Sequence, residues 1–305
     1  MNIDKQKKTK KRKSGISQKS RTNIALVLLL TITILFLLLL IVIPEEKEIA
    51  EHTEKIESEP QQEVPADREE PEAFHGYMYL VIDDVGYNLE QLDRFLDLPV
   101  PITYAILPKL EYTDAAYQKI LASGNEVILH QPMEPVGNQN PGPGALYIDM
   151  PAEIVRSTIS ENLMQMPEAV GVNNHMGSLA TADKRLMEDM LGEIHGKNPE
   201  LFFLDSRTTA ESVAEDIADH VHIPHSRRNI FLDNISTAEA ISTALEEAME
   251  MVEAEGYTIM IGHVWSEELA ATLALWYADM EERGYKFALL SRYFSEEVVH
   301  AGAGS

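Results

Sequence analysis

The stretch YLVIDDVGYN, residues 79–88, places two adjacent aspartates directly after a run of strand-forming residues. Tyr79 to Ile82 are typical of a buried β-strand, because aromatic and β-branched side chains pack well on a pleated surface. Asp83 and Asp84 follow without a break. Neighbouring carboxylates repel, and each disfavours ionisation of the other. A bound cation or a chemical role is therefore needed to explain why both stand at the end of this strand.

Downstream of this strand, apolar runs alternate with segments of helical periodicity. Strands are predicted at 77–82, 102–107, 125–130, 169–173, 201–204, 258–262 and 286–290, with a weaker one at 221–223. Helices are predicted at 88–97, 113–123, 152–165, 182–195, 209–219, 237–255 and 267–283. Regular alternation predicts an α/β protein, a parallel sheet or barrel with helices outside. About 230 residues fit one (β/α) barrel or a doubly wound sheet.

Five of the predicted strands end in polar side chains. The carboxyl ends of parallel strands meet on one face, and in barrels and doubly wound sheets the active site lies on that face. One polar strand end would be an ordinary turn residue, whereas five on one face indicate an active site. The residues concerned are Asp83 and Asp84, His130 with Glu134 four residues later, Asn173 with Asn174 and His175, Asp205 with Ser206 and Arg207, and His263.

These strand ends have the composition of a metal site. The chain has no cysteine, so any metal must be held by nitrogen and oxygen ligands. Asp84, His130 and His175 combine carboxylate with imidazole, as catalytic sites for Zn²⁺ or a similar divalent ion do. A cation on one aspartate lowers the cost of ionising both and leaves the other free to accept a proton. His263 comes from a distant strand and could protonate a leaving group; a core histidine beside Gly262 is the alternative.

Four further residues are candidates for substrate binding. A tryptophan is more often a core residue than a ligand platform, but Trp265 lies two residues after His263 and could line a sugar subsite. Asn173, Asn174 and Asp205 stand at strand ends on the same face.

The first 43 residues have the features of a membrane anchor. Residues 1–23 are basic, and residues 24–43 form an uncharged apolar run. A run of roughly 20 apolar residues spans a hydrocarbon core. Basic residues stay cytoplasmic, so the C-terminal domain is expected outside. A cleaved signal peptide is the alternative, but its apolar region is about 7–15 residues long, and no clear small-x-small site follows.

Residues 44–75 carry 12 acidic and 3 basic residues and few large apolar ones. That composition cannot bury enough surface to order itself and predicts a flexible linker to the domain at 76–305. After residue 43 the chain holds 49 acidic and 16 basic residues. Such an excess of acids argues against nucleic acid as a partner, since binding to a phosphate backbone needs Lys and Arg.

The sequence from Tyr77 to Tyr293 resembles the divergent polysaccharide deacetylase family, a branch of the NodB-like carbohydrate esterase superfamily. The resemblance rests on VIDDVG (81–86), EVILHQPMEP (126–135), GPGAL (142–146), VGVNNHMGS (170–178), FFLDSRT (202–208) and IGH (261–263), which come in the family's order. It implies a distorted (β/α) barrel, a divalent metal, expected to be Zn²⁺, and hydrolysis of an acetamide on an amino sugar. The implied partner is a cell-envelope glycan.

The resemblance also implies roles for individual residues. Asp83 matches the catalytic base of the superfamily, and Asp84 matches its metal-binding aspartate. His130 matches the first histidine of the His-x-x-x-His metal pair. His263 matches the general acid near the last strands.

The sequence departs from that pattern in two respects. Glu134 stands where the second metal histidine is expected, and the usual Arg-x-Pro-aromatic segment is missing. We expect His175 to replace the missing ligand, because of its strand-end position. Glu134 is then a fourth or outer partner of the metal, and Arg207 takes over the orientation of the base.

Two other functions are compatible with the sequence. One is a catalytically silent carbohydrate-binding or envelope-scaffolding protein that kept the barrel and lost the chemistry. The presence of Asp83, Asp84 and His263 together speaks against it. The other is a metal-dependent hydrolase on the same barrel that differs only in its substrate.

Overall fold

The computed structural model describes residues 74–295, where nine parallel strands form a sheet flanked by helices. The strands are β1 Gly76–Val85, β2 Thr103–Ile106, β3 Glu126–Met133, β4 Gly171–Met176, β5 Phe202–Asp205, β6 His225–Arg227, β7 Ile230–Phe231, β8 Tyr257–His263 and β9 Tyr285–Ala288. The helices are α1 Leu89–Leu96, α2 Thr113–Ala122, α3 Ala152–Met164, α4 Lys184–Lys197, α5 Ala214–Val221, α6 Ala238–Glu255 and α7 Glu267–Glu282.

The sheet curls so that its two edges meet. Its strand order is β6-β5-β4-β3-β2-β1-β8-β7, and β9 pairs with the first half of β1. Only Arg228 and Asn229 separate the two edge strands in the chain. The Arg228 N–H donates to the Asp205 carbonyl in β5 (3.0 Å), and the Asn229 N–H donates to the Ile259 carbonyl in β8 (2.9 Å). The predicted α/β architecture, with a parallel sheet and helices outside, is confirmed in this curled form.

One predicted strand is wrong. Residues 221–223 do not form a strand, because α5 runs to Val221 and ends at His222, which adopts a left-handed conformation with φ 61°. The strands in this region are β6 and β7, which have three and two residues. The predicted helix at 209–219 begins only at Ala214.

Two apolar layers follow from the alternation of side chains along each strand. The outer layer lies between sheet and helices, and includes Leu80, Ile82 and Leu129. The inner layer fills the curl and consists of Tyr79, Val81, Ala105, Ile128, Phe202, Leu204, Ile259, Ile261, Ala288, Leu290, Tyr293 and Phe294.

The amino-terminal end of the curl is closed by the helical residues 290–295. Phe294 stacks on Phe202 with ring centroids 4.1 Å apart. The Ser291 N–H donates to the buried Glu126 carboxylate (3.0 Å). Because this end is filled, the carboxyl ends of the strands are left as the open face of the curl.

The end of β8 is fixed by the start of the next helix. Ser266 caps α7, with its hydroxyl accepting from the Leu269 N–H at 3.3 Å. The Ser266 N–H in turn donates to the His263 carbonyl (3.1 Å). These contacts stop the strand at His263 and hold that residue at the open face.

Within residues 74–295, no helix is long and apolar enough to cross a bilayer. The predicted tail at 1–23, the predicted anchor at 24–43 and nearly all of the predicted linker at 44–75 lie outside the described residues.

Candidate metal centre and active site

A β-bulge explains why two adjacent aspartates end β1. Ile82 pairs with Tyr104 and Val85 with Ile106, so three steps on β1 match two on β2. The extra residue is accommodated by Asp84, which has φ 65°, a left-handed conformation that costs a non-glycine residue about 1–2 kcal/mol. Regular strands point successive side chains to opposite faces. Here Asp83 and Asp84 line the same pocket.

Three side chains converge at this pocket from β1, β3 and β4. Asp84 Oδ1 lies 3.2 Å from His130 Nε2 and 2.8 Å from His175 Nδ1, and the two ring nitrogens lie 3.2 Å apart. Within residues 74–295 this is the group of His and carboxylate ligands that could hold a metal ion. Zinc bonds of about 2.0–2.2 Å place neighbouring tetrahedral ligands roughly 3.3–3.5 Å apart, close to the spacing of these atoms.

The protonation pattern around His130 fits a cation. Asn173 Nδ2 donates to Asp83 Oδ1 (2.9 Å), so its carbonyl oxygen faces His130 Nδ1 at 2.7 Å. That contact requires a proton on Nδ1, which in a neutral imidazole leaves a lone pair on Nε2. Nε2 then faces Asp84 Oδ1, which is buried and accepts no well-formed hydrogen bond from the described residues. Facing lone pairs with a fixed tautomer are the arrangement of a metal site with open positions.

Without a metal, a proton takes the place of the cation. Burial raises the pKa of Asp84, but the close approach of His130 and His175 outweighs burial and lowers the pKa well below its usual value. Burial lowers the pKa of His130, but the charge of Asp83 and the contact with Asp84 raise it overall. Protons and metal therefore compete for Asp84 and His130.

Asp83 has the environment of a general base. Its side chain is buried and accepts from Asn173, and its Oδ2 lies 3.7 Å from His130 Nε2. Burial raises the pKa of Asp83 above its usual value, against the opposing effects of His130 and His263. A carboxylate with a raised pKa is a stronger base and better matched to proton transfer near neutral pH.

His263 is held by a buried aspartate that the sequence did not reveal. Asp233 Oδ1 lies 3.0 Å from His263 Nδ1, and Asp233 Oδ2 accepts from the His263 backbone N–H at 3.0 Å. Burial lowers the pKa of His263, but the hydrogen bond and charge of Asp233 raise it overall. Asp233 favours the charged ring and fixes its orientation, as a general acid requires.

Trp265 joins the two halves of the site. Its indole N–H donates to Asp84 Oδ2 (3.1 Å), which turns Oδ1 toward the histidines. Its ring stacks on His263, with centroids 4.8 Å apart and planes 19° apart. Trp265 is 44% exposed, so part of its ring is accessible to solvent, and its predicted place in a sugar subsite stays a prediction.

Glu134 lies apart from the metal cluster. Its Oε2 accepts from the Ile148 N–H at 2.8 Å, and it is absent from the group formed by Asp84, His130 and His175. The physical reason is the extended backbone that follows His130 in β3, because four residues of strand span about 13 Å. The prediction of Glu134 as a metal partner is corrected: it holds the loop after β3.

Three predicted substrate-binding residues are buried and already hydrogen-bonded. Asn173 bridges Asp83 and His130, as described above. Asn174 accepts from the Ser206 N–H and donates to the Met176 carbonyl. Asp205 accepts from the Arg207 N–H (2.7 Å). Buried polar groups satisfied inside the protein are poorly placed to contact a substrate, so these residues orient the strand ends instead.

Two arginines line the pocket. Arg207 is exposed and has φ 52°. Arg228, which the sequence pattern did not predict as a site residue, is partly buried, and its Nε donates to the Ser206 carbonyl (3.0 Å). Burial lowers the pKa of Arg228, and the charge of Asp83 opposes that effect. The charge of Arg228 therefore acts on the base, whereas the orientation of Asp83 by Arg207 stays a prediction.

The fold and site together define an α/β protein that carries an Asp-His-His cluster beside Asp83 and His263 at the carboxyl ends of its strands. The family model for divergent polysaccharide deacetylases matches residues 80–294. The chain belongs to this family, which confirms the family predicted from the sequence motifs.

Two curated relatives carry no assigned activity. An uncharacterized protein of Haemophilus influenzae is 36% identical over 184 residues, which cover 60% of this chain and 65% of that protein. The uncharacterized protein YibQ of Escherichia coli is 31% identical over 188 residues, covering 62% of this chain and 58% of that protein. Each match therefore spans less than two thirds of the relative's length.

The fold also resembles a solved structure. The crystal structure of an uncharacterized protein from Agrobacterium tumefaciens aligns with a TM-score of 0.67 at 22% identity, covering 72% of this chain and 90% of that chain. This similarity concerns the fold alone.

Proposed function

We propose that this protein is a metal-dependent hydrolase that removes acetyl groups from N-acetylated amino sugars of a cell-envelope polysaccharide. The observation that carries the proposal is the pocket in which the cluster of Asp84, His130 and His175 lies beside Asp83 and His263. Membership of the deacetylase family supports a glycan as substrate. The donor set of two imidazoles and one carboxylate suits Zn²⁺.

A divalent ion held by Asp84, His130 and His175 would polarise the acetamide carbonyl and make water more acidic. Asp83 accepts the proton of the attacking water, and its raised pKa favours that transfer. Asn173 holds the Asp83 carboxylate in position through the 2.9 Å hydrogen bond. His263 donates a proton to the departing amine, and Asp233 keeps its ring oriented and charged.

A catalytically silent binding protein is the second candidate, and the geometry of the acid and base speaks against it. Asp83 and His263 are both held by buried partners, Asn173 and Asp233, although burying ionisable groups is unfavourable. Perturbed groups paired in this way concentrate at functional sites. A protein that only bound glycan would need neither of them.

Acetate release by the full-length chain tests the proposal. The zinc-loaded protein is incubated with N-acetylated chito-oligomers and with peptidoglycan, and free acetate is measured. We expect release that stops after chelation and returns when zinc is restored. Absence of release from every such glycan, with zinc bound, would favour the silent binding protein.

The location of the protein is part of the same proposal. The basic tail at 1–23 and the uncharged run at 24–43 support a single-pass anchor with the N-terminus in the cytoplasm. The acidic linker at 44–75 would then hold the domain outside the membrane, where an envelope glycan is accessible.

A further inference from the structure

The basic residues of the domain are few, and most are neutralised by a carboxylate. Residues 76–305 hold 13 Lys and Arg against 37 Asp and Glu. Nine of the 13 form ion pairs, namely Arg94, Lys109, Lys119, Arg156, Lys184, Arg185, Lys197, Arg227 and Arg283. Arg207 and Arg228 are two of the remaining four. Among the described residues no carboxylate oxygen lies within ion-pair distance of either guanidinium, although acids outnumber bases almost threefold.

Arg228 is fixed at the edge of the pocket. Its Nε donates to the Ser206 carbonyl at 3.0 Å, with a longer contact of 3.4 Å from one terminal nitrogen to the Arg207 carbonyl. Its guanidinium lies over the Phe231 ring, 4.5 Å from the centroid. These contacts use one edge of the guanidinium and leave its other N–H groups without a partner among the described residues. The side chain is thus oriented before any ligand binds.

Arg207 lies on the same side of the pocket and is exposed. Its backbone N–H donates to Asp205 Oδ1 (2.7 Å), and its backbone adopts a left-handed conformation with φ 52°. Its guanidinium makes no hydrogen bond with the described residues. The 3.4 Å contact of Arg228 with the Arg207 carbonyl places the two residues side by side, and the positive charge of Arg207 helps to lower the pKa of Arg228.

The charges of Asp83 and Asp205 act on Arg228 and offset part of its repulsion with Arg207, although neither carboxylate lies within ion-pair distance of it. Asp83 and Asp84 supply two negative charges in the same pocket, but a divalent ion on Asp84, His130 and His175 would cancel them. The pocket then has a net positive charge inside an acidic domain. Two guanidinium groups with unused N–H donors can bind the oxygens of a planar carboxylate or a tetrahedral phosphate.

We propose that Arg207 and Arg228 form an anion subsite beside the metal cluster, and that the substrate is a glycan carrying a carboxylate or phosphate on or next to the acetylated sugar. The inference rests on the proposed function, whose substrate class it narrows. Both anion types present the same oxygens to arginine, so the test includes a separate arm for each. A neutral N-acetylated polymer would leave the two guanidinium groups unpaired.

Binding, rather than turnover, tests the subsite. The full-length zinc-loaded chain carries Asp83→Asn, so that the ligand is not hydrolysed, and dissociation constants are measured by calorimetry. The three ligands are a neutral N-acetylglucosamine tetramer, a tetramer of equal length with carboxylate-bearing N-acetylmuramic acid units, and a tetramer with a phosphate monoester. Arg207→Ala and Arg228→Ala are compared with Arg227→Ala, a neighbouring arginine paired with Glu215.

We expect at least one anionic tetramer to bind about tenfold or more tightly than the neutral one, because hydrogen bonds to charged groups are stronger than neutral ones. Arg207→Ala and Arg228→Ala should abolish the preference, and Arg227→Ala should keep it. Arg207→Ala removes an exposed side chain without partners, so it tests the subsite even if Arg228→Ala fails to fold. Equal binding of all three ligands, or equal loss in Arg227→Ala, would overturn the subsite. Absence of acetate release would instead refute the hydrolase and leave this result standing.

Discussion

Asp233 makes two hydrogen bonds to His263. One carboxylate oxygen contacts the ring nitrogen Nδ1 and the other accepts from the backbone N–H, each at 3.0 Å. The Asp233 side chain is fully buried. This contact fixes both the position of the strand end and the charge of the imidazole. The orientation and the charge of the proposed general acid therefore depend on a buried neighbouring residue.

Asp233→Asn should lower the pH above which activity is lost. The general acid acts only when protonated, so activity falls as pH rises through the pKa of His263. Asp233 raises that pKa, and its neutralisation should lower it, moving the alkaline limb of the kcat profile to lower pH. The acid limb, which depends on ionised Asp83, should stay in place.

The control for this variant is Asp219→Asn, which alters an exposed aspartate beside another histidine, His225. Its pH profile should match that of the wild type. An unmoved alkaline limb in Asp233→Asn, with the protein folded, would contradict the role of His263 as the acid.

Removal of either histidine of the cluster should strip the metal. His130→Ala and His175→Ala each delete one of three ligand atoms that lie within 3.2 Å of one another. Glu134→Ala should keep full occupancy, because Glu134 bonds the Ile148 N–H instead. Metal content per chain after dialysis gives the answer. Full metal occupancy in both histidine variants would contradict the assignment of His130 and His175 as metal ligands.

Metal affinity should also weaken as pH falls. A proton on His130 takes the place of the cation, and its raised pKa without metal favours that proton. A titration of zinc against a competing chelator between neutral and acidic pH measures the effect. An affinity independent of pH would mean that His130 is not a ligand.

Trp265→Phe should weaken the metal site while keeping the apolar contact with His263. The change deletes the N–H donor to Asp84 Oδ2 and preserves an aromatic ring over the imidazole. Partners of metal ligands are typically worth about 10–100-fold in affinity or activity. Trp276→Phe, a change in a tryptophan packed against the outer core, serves as control. Equal zinc affinity in both variants would show that the indole N–H does not matter.

The proposed orientation of the chain predicts the behaviour of intact cells. If residues 24–43 span the membrane with the tail at 1–23 inside, protease reaching the outer face of that membrane should digest the domain. Digestion only after lysis of that membrane would show the opposite orientation. Deletion of residues 1–43 should release the domain from the membrane fraction.

Much of the site was accessible from the sequence because it follows long strands. Asp83, Asp84, His130, His175 and His263 each stand where an apolar run ends, and parallel topology brings such ends together. Asp233 and Arg228 were missed because they follow β7 and β6, which have two and three residues and carry no period of their own. Such short strands form because they pair with strands that are distant in the chain. The local sequence does not reveal this pairing.

Two other features depended on three-dimensional context. The bulge at Asp84 is recognised from the shift in register between β1 and β2, which requires the paired strands to be known. The family resemblance placed Glu134 where a second metal ligand is expected, but the extended backbone after His130 carries Glu134 away from the metal cluster. Likewise, Asn173 looks like any strand-end amide until its two contacts with Asp83 and His130 are known.

The most direct test of the central claim compares acetate release by the wild type and by Asp83→Asn at equal metal content. Asp84 remains in the variant, so the metal should stay bound while the base is lost. A positioned acid or base typically contributes about 10²–10⁴-fold, and we expect a loss of at least that order on an N-acetylated glycan. Equal rates in the two proteins, with zinc bound to both, would contradict Asp83 as the base and with it the proposed mechanism.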